Sequence, residues 1–405
     1  MHRRVINRKT NSKPDLVFIS LTRLHYGSDG RLRSFNPEMS AEEWTAFMDA
    51  FATVTVLARV ESEFRDNEGY LLDPRLKVVA IPHYDGLLDY YRQRSQIKQL
   101  ISKYIVASST VYCIWVPNPL SLFVARKVKK LGAPLLVRVI GDSAGVAKAI
   151  LPPPLNFIAA WRSTARAKAS VKLADGVIYV TLSTLQSLYP PNEDAIVQAR
   201  TDMKFSPELL EIPQKHPTRS EKTFSLVAVG SQQQNYKGHD LLIAATSNLQ
   251  QKGYDVSLTL VGAGRLHNQL KSYAQELGLR NVSFVERVGS SVDVARFVSG
   301  FGLFVMPSRT EGMPKALLEA MAVGVLAIGS TVGGISEVLR DECLFEPNSV
   351  AALERSITRL IDDEELALRH KEAQAEMIEK IRRHYSGQEV IAAFLDTFIT
   401  EKVAV

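Results

Sequence analysis

Short β-rich runs alternate twice with longer amphipathic stretches along this chain, and that doubled alternation most restricts its fold. The first set is DLVFISL, VTVLARV, LKVVAIP, VYCIWVP, PLLVRVIG and GVIYVT. The second is FSLVAVGS, VSLTLVGAG, NVSFVER, GLFVMPS and VLAIGS. Apolar runs of this length, bounded by Gly, Pro and Asp, read as strands. Separated by helical patterns, they predict parallel sheets wound by crossover helices. Between the sets lies FSPELLEIPQKHPTRSEKT, whose three prolines and several charges mark a linker. A length of 405 residues fits two such domains.

Composition narrows the setting. The two cysteines, Cys113 and Cys343, both fall in apolar runs, too few for a disulfide framework or a cysteine-rich zinc site. No paired-histidine motif or acid cluster has metal-ligand spacing, so no metal and no cofactor are expected. The basic start MHRRVINRKTNSK is not followed by a long apolar core, and no apolar run reaches the ~18 residues of a membrane span. The expectation is a cytoplasmic chain.

Charge is uneven. Through Ser220 there are 30 basic and 20 acidic residues; from Glu221 onward there are 19 and 23. Between Ile101 and Lys172, 11 basic residues stand against one acid, Asp142. Such a half reads either as a solvated face or as one that attracts anionic lipid, nucleic acid or phosphorylated substrates. No stacking-aromatic or helix-turn-helix signature accompanies the charge, so no nucleic-acid partner is expected.

In open α/β sheets, ligands bind beyond the carboxyl ends of the strands. The richest such place is SRTEGMPKALLEAMAVGVLAIGS, Ser308 to Ser330. GLFVMPS predicts a strand, and RTEGM its loop. Pro314 suits a first helical turn, where its missing N–H would be unpaired anyway. The free N–H groups from Lys315 through Ala316 to Leu317 predict an anion site. Glu311 stands before that helix and Glu319 inside it, in a stretch too apolar for a surface helix. A buried acid there needs a partner, and ribose hydroxyls would serve. Read blandly, one acid favours the helix dipole and the other is a surface residue.

These strings resemble the retaining glycosyltransferases of family four, whose GT-B fold sets two Rossmann-like domains face to face across a cleft. The matching strings are EGMPKALLEAMAVG, the strand VLAIGS, then GGISE ending at Glu337. YKGHDLLIAA, LVGAG and VSFVERV match earlier positions. The match is strong from Phe224 to Phe345 and only a pattern of strands before that. The resemblance implies an acceptor-binding domain over residues 1–212, a nucleotide-sugar domain over 213–385, and a final helix in 386–405 packing back on the first. It implies that Glu319 holds the ribose. It sets Glu311 at the donor sugar, with the amides of Gly312, Met313 and Lys315 near the sugar hydroxyls, and Lys237 at the diphosphate. The backbone at Arg287 and Val288 would meet the base, and the strand ends at Gly230, Ser231 and Gly262 would border the donor.

Ser231 departs from the family, which usually has an arginine after Gly230; Arg265 or Arg309 would have to supply that charge. In the first half, SLTRLHYGSDGRLRS occupies the family's glycine-rich loop. Gly27 and Gly30 would then approach the diphosphate, with Arg23, Arg31 or Arg33 as further cations. Asp142, in VRVIGDSAG, falls where many members carry a histidine near the sugar. It is a candidate contact to donor or acceptor, or else a structurally paired acid. The implied partners are a nucleoside-diphosphate sugar and a lipid-linked or oligosaccharide acceptor. Two rivals stay open: a sugar-nucleotide-binding scaffold of low activity, motivated by Ser231, and a nicotinamide-dependent enzyme, suggested by Gly262-x-Gly264 with Glu286 about 20 residues on.

One further segment, PPPLNFIAAWRSTARAKASVK, predicts a helix on which Phe157, Ile158, Trp161 and Ala165 draw one apolar stripe. Arg162, Arg166 and Lys168 flank it. The stripe either faces the core, as in any crossover helix, or rests on an anionic bilayer.

Overall fold

The computed structural model describes residues 13–65, 67–84, 86–213 and 224–403. They form two sheets. The first holds β1 Leu16–Gly27, β2 Leu32–Ser34, β3 Val54–Arg65, β4 Tyr70–Leu71, β5 Lys77–Ile81, β6 Val111–Val116, β7 Leu135–Val139, β8 Gly176–Tyr179 and β9 Ile196–Ala199. Its parallel order runs β5-β3-β1-β6-β7-β8-β9, while β2 and β4 add antiparallel at one end of β1. The second sheet holds β10 Phe224–Val229, β11 Val256–Val261, β12 Val282–Val285, β13 Leu303–Met306, β14 Leu326–Ser330 and β15 Leu344–Phe345. It is wholly parallel, in the order β12-β11-β10-β13-β14-β15.

Central strands such as VYCIWV and LLVRV are buried along their whole length. That is why they read as continuous apolar runs and not as alternating ones. Each sheet reverses its strand order once, between β1 and β6 and between β10 and β13. The connections that leave the two strands part there and open a crevice. The opening strand is longer than its sequence run suggests. Past a bulge at Leu21 (φ 56°) it continues to Gly27, still paired with β3, and turns into a hairpin with β2.

The chain crosses between the sheets twice, side by side. The Thr201 amide donates to the Tyr385 carbonyl at 2.8 Å, and the Ser386 hydroxyl to the Met203 carbonyl at 2.9 Å. Buried ion pairs fix this crossing, Arg200 with Glu43 at 2.9 Å and Arg138 with Asp202 at 3.1 Å. After it, helix Gln388–Lys402 lies on the first sheet. Its Ile391, Phe394, Leu395 and Phe398 join the core with Phe18, Trp44 and Trp115.

Helix Leu155–Lys172 corrects the core-facing reading of its stripe. Its buried positions are Asn156, Ala160, Ala167, Ser170 and Val171, most of them small, with the Ser170 and Ser121 hydroxyls bonded at 3.0 Å. Phe157, Ile158 and Trp161 point to solvent. Small residues let the helix lie close to its neighbours, so the large ones are left outside.

Candidate active site

The crevice of the second sheet gathers the loops after β10 and β13. Lys237 ends the turn Asn235–Lys237, and Gly238 (φ 70°) starts helix His239–Gln251. A Cβ on Gly238 would lie 1.9 Å from the Pro307 carbonyl oxygen, so this glycine is what lets the two loops touch. The Lys237 stem lies over Gly230, where a Cβ would meet its methylenes at 3.0 Å. Lys237 Nζ then reaches Glu311 Oε1 at 2.7 Å, and the Ser308 hydroxyl donates to the same oxygen at 2.7 Å.

Burial would lower the Lys237 pKa, but the Glu311 carboxylate more than reverses this and the value lies above the ordinary one. Next to it His239 is pushed down to about 4, by burial first and by the Lys237 charge second, so it stays neutral around pH 7.

Helix Lys315–Ala322 starts three residues after Gly312. The Leu317 amide is already bonded to the Pro314 carbonyl at 3.1 Å, so Leu317 drops out of the expected anion site; its side chain is core, and Lys315 and Ala316 lead the first turn. Glu319 is buried. Burial raises its pKa, partly opposed by Lys315, whose Nζ lies 3.8 Å away, and by a hydrogen bond from the Ser291 hydroxyl. Ser291 opens helix Ser291–Val298, which carries a capping box between Ser290 and Asp293. A serine hydroxyl thus takes the place beside this buried carboxylate.

The loop before helix Lys315–Ala322 also faces the first domain. Met313 packs against the cores of both domains, and a Cβ on Gly312 would meet the Ile140 carbonyl at 3.0 Å. Glu337 had no expected role beyond the GGISE string. Its carboxylate accepts from the amides of Leu182 (2.6 Å), Ser183 (2.9 Å) and Thr184 and from the Ser183 hydroxyl (3.2 Å). One acid in the second domain therefore binds the start of a helix, Thr184–Leu188, in the first. Gly333 and Gly334 hold the other side: a Cβ on Gly333 would lie 2.0 Å from the Glu311 carbonyl oxygen, and the Gly334 amide donates to the Gly312 carbonyl at 2.8 Å.

Other expected residues find different surroundings. Asp142 caps helix Ser143–Ile150, accepting from the Ala144 and Gly145 amides at 2.9 Å and from the Tyr189 hydroxyl at 3.0 Å. That is the paired, structural alternative, although Gly145 abuts Thr310 and so keeps the cap at the cleft. Gly27 and Gly30 form the tip of the β1–β2 hairpin, not a loop entering a helix. Arg31 and Arg33 both bind Asp29 (2.9 and 2.6 Å), and Gly27 lacks a side chain where Arg33 passes. The two cations expected to stand in at Ser231 are engaged elsewhere. Arg309 pairs with Asp240 at 2.8 Å and Arg265 donates to the Gln233 carbonyl at 2.8 Å. Arg287 reaches Glu68 of the first domain at 3.0 Å, and Val288 packs on the second core. Gly262 and Gly264 lack side chains because the Gly230–Gln233 backbone runs against them, with Gly230 O only 1.9 Å from a Gly262 Cβ. That contact accounts for the glycines that suggested a nicotinamide site. Among the described residues, no cluster of three or more metal-ligating side chains occurs.

Known proteins resemble this chain in sequence and in fold. Residues 211–382 match the family described as Glycosyl transferases group 1. The Staphylococcus aureus protein CapJ is 30% identical over 335 residues, which cover 78% of this chain and 80% of that protein. The Escherichia coli UDP-Gal:alpha-D-GlcNAc-diphosphoundecaprenol alpha-1,3-galactosyltransferase is 29% identical over 128 residues, 31% of this chain and 33% of that one. Among solved structures, the sucrose-phosphate synthase of Thermosynechococcus elongatus superposes with a TM-score of 0.70 at 18% identity, over 97% of this chain and 100% of that chain. A likeness at that identity speaks for the fold, the paired Rossmann-like domains of the GT-B type. With the extended similarity to CapJ and the match over the second domain, the chain belongs to the group 1 glycosyltransferases.

Proposed function

We propose that this glycosyltransferase moves a sugar, with retention of anomeric configuration, from a nucleoside-diphosphate sugar to a lipid-linked or saccharide acceptor in polysaccharide or glycolipid assembly. It works from the cytoplasmic side as a peripheral enzyme. One observation carries the reading: Glu311 is held by Lys237 and Ser308 at the strand-order reversal of the second sheet, with buried Glu319 on the helix that follows.

In the unliganded state the Lys237 ammonium is neutralised by Glu311. A diphosphate would compete for that ammonium and release the Glu311 carboxylate to accept sugar hydroxyls. As the C1–oxygen bond to the diphosphate breaks, negative charge grows on the phosphate oxygens, and Lys237 stabilises it more strongly than in the ground state. The acceptor oxygen bonds C1 on the face that the diphosphate leaves, and its proton passes to a diphosphate oxygen. The protein supplies position and charge, and no side-chain nucleophile is required. Glu319, replacing its Ser291 partner with ribose hydroxyls, fixes the nucleotide. The Escherichia coli relative, named for a UDP-galactose donor and a diphosphoundecaprenol-linked acceptor, supports both substrate classes.

The test is a screen of uridine, guanosine and adenosine diphosphate sugars with saccharide and polyprenyl-diphosphate-saccharide acceptors, read by product mass and by NMR of the new linkage. Transfer with the donor's anomeric configuration is expected. An inverted linkage would remove the mechanism, and no transfer from any donor would remove the function.

A further inference from the structure

We infer that the outer face of helix Leu155–Lys172 is a docking surface for an anionic lipid bilayer. Trp161 is 72% exposed, Phe157 60% and Ile158 49%, with Leu155 exposed beside them. They lie on the side opposite Asn156, Ala160, Ala167 and Ser170, which the fold buries. An inverted helix of this kind, with small residues inward and aromatic ones outward, gains nothing from water. Its outer side chains are large and apolar, with one amphipathic tryptophan among them, the kinds that enter a lipid interface.

Charge selects the occupant. No acidic residue occurs in the sequence between Asp142 and Asp175, while Lys148, Arg162, Arg166, Lys168 and Lys172 do. The basic surface continues onto helix Gly86–Tyr104. There Tyr91 and Arg94 are exposed, and both Arg94 and Arg166 lie close enough to the Tyr90 phenol to act on it. The acid on that helix, Asp89, takes hydrogen bonds from the Gln93 amide at 3.1 Å. A second copy of the chain is a poor occupant, because a two-fold contact would set these cations against themselves. An anionic bilayer satisfies the apolar residues and the cations together.

The location gives the surface a use. Helix Ser143–Ile150 packs against helix Leu155–Lys172 and touches the Asn235–Lys237 turn. Its capped end, at Asp142 and Gly145, meets Thr310. Its eight residues span about 12 Å. The lipid face therefore adjoins the rim of the cleft, where a lipid-linked acceptor would enter. That purpose rests on the acceptor reading above; the surface itself does not.

Flotation with vesicles of phosphatidylcholine alone, or mixed with phosphatidylglycerol, tests the inference without donor or acceptor. Trp44 and Trp115 are buried, so Trp161 supplies the solvent-exposed tryptophan whose emission reports contact. The expected result is flotation only with the anionic vesicles, weakened by salt and accompanied by a blue shift of tryptophan emission. Arg162→Glu/Arg166→Glu should lower partitioning about tenfold or more. Phe157→Ser/Trp161→Ser should abolish it, with circular dichroism and nucleoside-diphosphate binding unchanged in both variants. No flotation on anionic vesicles at low salt would overturn the inference. So would binding without an emission shift, or a lipid-free dimer dispersed by Trp161→Ser. A wild type that binds nucleotide but not vesicles sinks only the docking face; one that binds vesicles but no nucleotide sinks the enzymatic reading.

Discussion

Single residues carry opposite costs at the proposed donor site. Glu319 is buried with a raised pKa, caused first by burial and only partly relieved by Lys315 and Ser291. A carboxyl raised in the folded state binds protons more tightly there than in the unfolded chain. Its contribution to stability therefore falls as pH rises from the ordinary glutamate value of 4.5 toward the raised one, and stays low above it. Glu319→Gln removes that penalty. The unliganded variant should melt no lower than wild type at neutral pH, with the gap closing near about pH 4. A melting temperature lowered at neutral pH but not near pH 4 would show that the Ser291 and Lys315 contacts, and not burial, dominate. Lys237 has the opposite character in the proposed reaction: a paired cation whose value would appear as the diphosphate leaves. Lys237→Ala should reduce turnover by about 100-fold while changing nucleoside-diphosphate affinity much less, and Lys237→Arg should restore part of it. Equal losses in turnover and affinity, measured by steady-state kinetics and calorimetry, would make Lys237 a simple binding residue.

At the scale of elements, the loop–helix unit from Ser308 to Ala322 was legible because its chemistry is local. A proline at a helix start, an acid before it and an acid within an apolar run constrain each other over a few residues. The wound parallel sheets were legible for a similar reason, since strands covered on both faces must be apolar throughout. What escaped depends on partners far along the chain. An apolar stripe on Leu155–Lys172 tells which residues share a side but not which way that side faces, and alanines and serines opposite it decided the matter. Likewise, glycines at 27, 262 and 264 looked like ligand glycines, yet each makes room for a distant protein group. Gly333 is the test of this kind of packing. It has φ 51° and faces the Glu311 carbonyl. Gly333→Ala should cost about 1–3 kcal/mol in urea denaturation and cut turnover by displacing the Glu311 loop. Wild-type stability together with wild-type turnover would mean that the loop tolerates the side chain.

For the whole molecule, polar contacts across the cleft join the apolar ones in setting the two domains. Glu337 binds three backbone amides of the first domain, 153 to 155 positions away. Backbone amides have no side-chain signature, so no pattern in the sequence announces that clamp. Glu337→Ala leaves the second domain's donor contacts in place and removes the clamp. It should raise the radius of gyration in small-angle X-ray scattering and lower turnover about tenfold or more, since each charge-assisted hydrogen bond contributes about 1.5–3 kcal/mol. Nucleoside-diphosphate affinity should stay within about threefold; an unchanged scattering profile with full turnover would remove the clamp from the mechanism. The central claim is that buried Glu319, in the second domain's crevice, holds the ribose of a sugar nucleotide. Calorimetric titration of wild type and Glu319→Gln with uridine, guanosine and adenosine diphosphates tests it most directly. One of the three should bind wild type clearly, and the variant should bind it more weakly by about 1–3 kcal/mol, or roughly 5- to 150-fold. Identical affinities in the two proteins, or no binding of any nucleotide to wild type, would contradict the account.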